Sequence, residues 1–299
     1  MSEQLMNNPV VETKPNEVPI VPDDWAALGA KAGYNPREAS RLRLWTEGPI
    51  GEGKTTFNMG IPRQLVLDFE GGACAVEGGK SVPIFVENYD HYEKVTNKLV
   101  ADAQAGKRFW ERIGFDTVDI WVEMIKLHLE KEKKCEDITE YGREGKGYNL
   151  IFNLIVGKLR ELEQAGYTWS VVSHLKLKNE TDPVTQTTVT RARPSIYPSI
   201  AGRIKGNADF CLTAYCLEET EKEIKITLPG GQTRIVKEKL DKPKELYYVD
   251  ARNVQDKEGK TRGVSTMPRK ILVPEIGGWD VFALEYNKAV DAVKAKYKQ

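Results

Sequence analysis

Little in this chain points to zinc, disulfide or membrane chemistry. The 299 residues include four cysteines, Cys74, Cys135, Cys211 and Cys216, with no C-x-x-C pair, and three scattered histidines, His91, His128 and His174. Neither a zinc site nor a disulfide framework is expected, and the thiols read as those of a reduced, cytoplasmic protein. No apolar run approaches the ~20 residues of a membrane-spanning helix, so no membrane contact is expected. The N-terminus is polar and acidic instead of basic then apolar, which argues against a secretory signal. Net charge is absent too: 44 basic residues balance 44 acidic ones. No global positive field announces nucleic acid, and any such contact must come from a local patch. With 40% hydrophobic residues, the chain can bury the core of one large α/β domain with appendages.

Against these absences stands one dense motif. Gly48-Pro49-Ile50-Gly51-Glu52-Gly53-Lys54-Thr55 fills the pattern G-x-x-x-x-G-K-[ST] at every fixed position, and Thr56 follows it. The apolar run at 42–45 suits a buried strand, and residues 55–59 a short helix that Pro62 stops. Strand, glycine loop and helix form the setting in which backbone N–H groups turn toward phosphate oxygens. Lys54 supplies a point charge for the β and γ phosphates, and Thr55 a hydroxyl ligand for Mg²⁺. The structural alternative is an ordinary glycine turn beside a lysine.

Residues 1–22 hold four prolines and no aromatic residue and read as a flexible tail. A short helix is expected over 23–33, capped by Asp23 or Asp24 and anchored by Trp25. Buried strands are predicted at 64–68, at 82–86 with Pro83 marking an edge, at 113–116, at 169–173 and at 209–216. Arg112 and Gly114 weaken the strand before Asp116. Helices are predicted over 89–105, from Val118 with the stripe Val118, Trp121, Val122, Ile125 and Leu129, and from Tyr148 to Leu162, ended by Gly166. This alternation implies a mostly parallel sheet with helices on both faces up to about residue 216. Beyond it, Pro229-Gly230-Gly231 marks a hairpin, and residues 279–298 a terminal helix with Val281, Leu284, Ala289 and Val293 as a partial stripe. The expected organisation is a tail at 1–22, an ATPase-like core at 23–216 and a hairpin-and-helix extension at 217–299.

Hydrolysis of a bound triphosphate needs a carboxylate to activate water and another to organise the metal. Glu70, in Asp68-Phe69-Glu70-Gly71-Gly72, ends the strand after the P-loop helix and suits the general base; a surface acid in a turn is the alternative. Asp116 suits Mg²⁺ held through water, with Thr117 beside it and Asp119 as fallback; a helix N-cap is the alternative. His174, at the tip of Val171-Val172-Ser173-His174, suits a γ-phosphate sensor, although a lone histidine is often structural.

In this order, GPIGEGKT, LVLDFEGG, IGFDTVDIW and VVSHLK, the chain resembles RecA-type ATPases. More narrowly, it is similar to the phage RecA-like ATP-binding proteins that include the Sak-type single-strand annealing group. The match covers about residues 41–216. The resemblance implies a RecA-like core, ATP and Mg²⁺ as ligands, Glu70 as catalytic carboxylate and His174 at the sensor position. It implies a DNA-stimulated ATPase of phage recombination, homo-oligomers in a ring or filament, and phage single-strand-binding or replication proteins as partners. An ATP-switched accessory or loading protein and a RecA-type helicase motor remain open alternatives.

A DNA surface is expected in the loop 177–197 and its flanks, where Lys176, Lys178, Arg191, Arg193, Arg203 and Lys205 meet Glu180, Asp182 and Tyr197. A second candidate carries Tyr141, Arg143, Lys146 and Tyr148; solvated loops are the alternative for both. Arg252, Arg262 and Arg269 are candidates for a residue inserted by a neighbouring subunit.

Overall fold

The buried apolar runs become strands of one sheet in the computed structural model, which describes residues 22–28, 36–142, 145–181, 187–227, 233–250, 260–261 and 266–297. The strands are β1 (Leu44–Gly48), β2 (Gln64–Asp68), β3 (Val82–Phe85), β4 (Arg112–Asp116), β5 (Thr168–Thr181), β6 (Thr188–Pro194), β7 (Phe210–Thr227), β8 (Thr233–Asp250), β9 (Lys260–Thr261) and β10 (Lys270–Val273). The helices are α1 (Asp23–Ala27), α2 (Lys54–Met59), α3 (Tyr89–Gln104), α4 (Val118–Lys133), α5 (Lys146–Gln164), α6 (Pro198–Asn207) and α7 (Gly278–Tyr297). Spatial order is β10-β8-β7-β1-β5-β4-β2-β3, with β6 on β5 and β9 on β7. From β7 to β3 all neighbours on this path are parallel; β8, β10, β6 and β9 add antiparallel pairs. This is an α/β core built on a mostly parallel sheet, as the alternation of strands and helices predicted. β5 separates the P-loop strand β1 from β4, so the ends of β1, β5, β4 and β2 share one rim.

Two apolar layers cover the sheet. On one face the α4 stripe is buried as read, and Trp121, Ile125, Ile151, Ile155 and Trp169 join one cluster with Ile200 and Ile204 of α6. On the other face Phe57 of α2 meets Trp279 and Phe282 of α7, and Phe210 of β7 meets Phe282 and Tyr286. Each fully buried side chain of this size contributes roughly 1.5–3 kcal/mol over leaving it exposed.

Several expectations are corrected. The strand before Asp116 is not weak: all five residues of β4 are buried. Arg112 is accommodated because its guanidinium donates to the carbonyls of Leu42 at 2.5 Å, Ser40 at 3.0 Å, and Ala39 and Trp169 at 3.3 Å. Burial lowers its pKa to about 9. Gly114 fits because a Cβ there would press on Val66 at 3.0 Å and on Asn58 at 3.3 Å. The described parts of the segment 177–197 are largely strand: β5 runs on to Thr181 and pairs with β6, and α6 follows, while residues 182–186 lie outside the described residues. The α7 stripe is Trp279, Phe282, Tyr286, Ala289, Val290 and Val293, while Leu284 is 54% exposed. Trp25 is not a buried anchor for α1: it is 59% exposed. The expected tail, save Pro22, and the end of the first helix at Gly33 lie outside the described residues. β7 continues past residue 216 to Thr227 and pairs antiparallel with β8, with a register shift between Glu219 and Glu221; the expected turn Pro229-Gly230-Gly231 lies outside the described residues. No helix among the described residues is long and apolar enough to cross a membrane.

Candidate active site

The glycine loop leaves β1 at Gly48, where a Cβ would collide with the Ala214 carbonyl oxygen of β7. Gly51 (φ +84°) and Gly53 (φ +74°) sit in the left-handed region, where glycine alone is unstrained. Pro49, Ile50 and Gly51 form the exposed lip, whereas Lys54 and Phe57 are buried. Lys54 Nζ donates to the Pro49 carbonyl at 2.5 Å. Burial lowers the Lys54 pKa, opposed by the charges of Asp116, Asp119, Glu52 and Glu70. Glu52 accepts a hydrogen bond from the Cys216 backbone N–H, tying the loop to β7.

Parallel register assembles the rest. Asp68 stands beside Asp116, and Gly48 beside His174, across their strand pairs. Asp68 does not face a ligand. Its Oδ1 accepts the backbone N–H groups of Glu70 (3.1 Å) and Gly71 (2.7 Å), and its Oδ2 those of Ala73 (2.9 Å) and Cys74 (3.2 Å). That capped turn presents Glu70, whose Oε1 accepts from the Thr117 hydroxyl at 2.7 Å and lies 3.7 Å from His174 Nδ1. The Asp116–Thr117 peptide is cis.

Burial, reinforced by Asp68 and Glu70, raises the Asp116 carboxyl pKa to about 7, while Thr55 and Lys54 pull it down. Its Oδ2 is buried with no hydrogen-bond partner, as is Oδ1 of Asp119. Asp119 Oδ2 accepts the His174 backbone N–H at 2.9 Å, and burial raises this carboxyl as well. A buried acceptor without a donor leaves a lone pair that a cation can take up. No cluster of three or more His, Cys, Asp or Glu side chains suited to a metal exists among the described residues. A hard cation such as Mg²⁺ does not require such a cluster: it takes one or two protein oxygens and fills the remaining positions with water and phosphate. The Thr55 hydroxyl and the Asp116 carboxylate are the oxygens that would hold it, the two lying close enough to interact.

The structure thus brings Lys54, Thr55, Glu70, Asp116, Asp119 and His174 to one rim, and gives Asp68 a place as cap and Thr117 one as hydroxyl donor. The cap role of Asp68 was invisible in the sequence, because it depends on the turn of residues 69–74 folding back over the strand end.

The basic candidates divide. Lys176 pairs with Arg193 and Lys178 with Arg191 across the β5–β6 hairpin, which continues the His174 strand. Arg203 is apart on α6, its guanidinium 4.2 Å from the Phe152 ring centroid. Lys205 belongs to no surface patch: it is buried, its Nζ 2.8 Å from Glu47 Oε2, beneath the P-loop. Trp45 Nε1 donates to the same oxygen at 2.7 Å. Of the second candidate, Tyr148 packs edge-on against Tyr197 at 4.8 Å and Lys146 lies over Tyr141, while Arg143 is outside the described residues. Arg269 is exposed just before β10, and Arg252 and Arg262 are outside the described residues.

The family model described as an AAA domain matches residues 40–253. No curated protein matches the chain. Among solved structures, the chain is similar to a KaiC-like protein from the hyperthermophilic archaeon Pyrococcus horikoshii OT3, at 14% identity and a TM-score of 0.33, over 71% of this chain and 86% of that one.

Proposed function

The chain belongs to the AAA domain family of P-loop ATPases, and from that premise we propose that it binds ATP with Mg²⁺ and hydrolyses it, with Glu70 as general base. The observation that supports this most directly is the Glu70 carboxylate held between Thr117 and His174 on the rim that carries Lys54 and Asp116. Glu70 is one-third exposed, so water reaches it, and its turn is fixed by Asp68. His174 lies on the strand next to the P-loop strand and contacts both the base, through its ring, and Asp119, through its backbone. In this reading it senses the γ-phosphate and passes its state along β5. Mg²⁺ at Thr55 and Asp116 would neutralise charge on the β and γ oxygens.

The finer reading is that turnover is coupled to single-stranded DNA in phage recombination or annealing, within a homo-oligomer. Its support is the β5–β6 hairpin, where Lys176, Lys178, Arg191 and Arg193 form two cross-strand basic pairs only two residues beyond His174. Such a ribbon neutralises a phosphate backbone without reading sequence. The test is ATP turnover with and without single-stranded DNA for wild type, Lys54→Ala and Glu70→Gln. Lys54→Ala is expected to lose binding and turnover, and Glu70→Gln to bind ATP without cleaving it. Normal hydrolysis by Glu70→Gln overturns the base assignment. A rate indifferent to DNA, with no binding at low salt, overturns the DNA reading and leaves an ATP-switched accessory protein.

A further inference from the structure

The catalytic side chains occupy only one flank of β1. Asp116, Glu70 and His174 come from β4, the turn after β2, and β5, all on the same side of the P-loop strand. A triphosphate with its γ end against them directs its nucleoside end elsewhere. The opposite flank is built by β7, β8 and β10, and it reaches the loop itself. A Cβ on Gly53 would lie 3.1 Å from Cδ1 of Tyr247, so that ring rests against the glycine before Lys54. Cys216, whose N–H holds Glu52, is the cross-strand partner of Tyr247. The Tyr247 hydroxyl donates to Glu245 Oε2 at 2.6 Å, which fixes the ring plane. Beyond the ring opens a cavity of about 410 Å³, bounded by Tyr247, Leu272, Pro274 and Glu275. A narrow cleft shared by Gly53, Phe57, Tyr247 and Pro274 joins the loop to this side.

We propose that this cavity receives the base and ribose of the nucleoside triphosphate, an inference that rests on the phosphate-binding reading above. Tyr247 is the stacking platform: it offers a flat, oriented ring at the edge of the phosphate cradle. Leu272 and Pro274 supply apolar walls, and Glu275 a carboxylate able to accept from ribose hydroxyls or an exocyclic amine. The chemistry is common to ligand pockets, apolar surfaces with a few placed polar groups.

The experiment compares ATP with inorganic tripolyphosphate, each titrated calorimetrically with Mg²⁺ present into the full chain. Tyr247→Ala is expected to weaken ATP by about five- to hundredfold, the range for one base–aromatic stack, and to leave tripolyphosphate affinity unchanged. Tyr247→Phe, which keeps the ring, is expected to recover most of the loss. Should Tyr247→Ala fail to fold, Leu272→Arg fills the cavity from a half-exposed position and is expected to weaken ATP selectively. Equal loss of both ligands would make Tyr247 a brace for the loop and overturn the proposal, as would ATP affinity unchanged in both variants. Lys54→Ala separates the premise: loss of both ligands there upholds the phosphate cradle whatever Tyr247 does, and retention of both removes the cradle itself.

Discussion

Thr117 donates its hydroxyl to Glu70 Oε1 at 2.7 Å, linking the residue after β4 to the turn after β2. The bond occupies one lone pair of the carboxylate and sets its rotamer, leaving the other oxygen for water. Thr117→Val keeps the branched shape and removes the donor. A hydrogen bond to a charged group contributes about 1.5–3 kcal/mol, so kcat is expected to fall about ten- to hundredfold. The KM for ATP should hold, because the bond does not touch the phosphate cradle. Steady-state kinetics checks this, and a raised KM with normal kcat would refute it.

Asp68 collects four backbone N–H groups in one buried carboxylate. Asp68→Asn replaces one acceptor oxygen with an amide donor facing N–H groups. Two of those N–H groups then lose their acceptor, at about 1–3 kcal/mol each. Thermal unfolding is expected several degrees lower, with a larger loss of turnover than of ATP affinity, since the turn carries Glu70. An unaltered melting curve would show that the turn holds without its cap.

Asp116 gives a pH signature. Its folded-state pKa is raised to about 7 from the ordinary 3.8. Between those values the folded protein keeps a proton that the unfolded chain has released, so stability falls as pH rises through the window and levels off above it. The change is on the order of a few kcal/mol. Asp119, also raised by burial, adds the same sign. Denaturant melts of the ligand-free protein from pH 4 to 8 should therefore slope downward, and Asp116→Asn should flatten much of that slope. A slope unchanged in the variant would clear Asp116 of responsibility.

The basic hairpin predicts a salt effect. Each cation removed from contact with single-stranded DNA reduces the slope of log affinity against log salt by about 0.7. Lys178→Gln, opposite Arg191, is expected to do so without changing turnover in the absence of DNA. Fluorescence anisotropy across a salt series measures it, and an unchanged slope would take the hairpin out of the interface.

The local pattern determined much of this protein. The glycine loop was legible because its backbone geometry requires glycine at Gly51 and Gly53 and because phosphate chemistry requires Lys54 and Thr55. The α4 stripe was legible because helical spacing places its five apolar residues on one buried face. Glu70, Asp116 and His174 were legible as polar residues at the ends of apolar runs. Tertiary structure decided what periodicity cannot carry. Arg112 read as a defect in a strand, yet four backbone carbonyls from elsewhere in the chain accept from its two terminal nitrogens. Lys205 read as one more surface cation, yet α6 delivers it to buried Glu47. Asp68 and Thr117 stood inside quoted motifs without a role of their own, and Tyr247 stood in none. Their roles depend on strand order, which sets β4 beside β2 and the β7–β8 hairpin beside the P-loop, and strand order is a long-range property of packing that neighbouring residues do not encode.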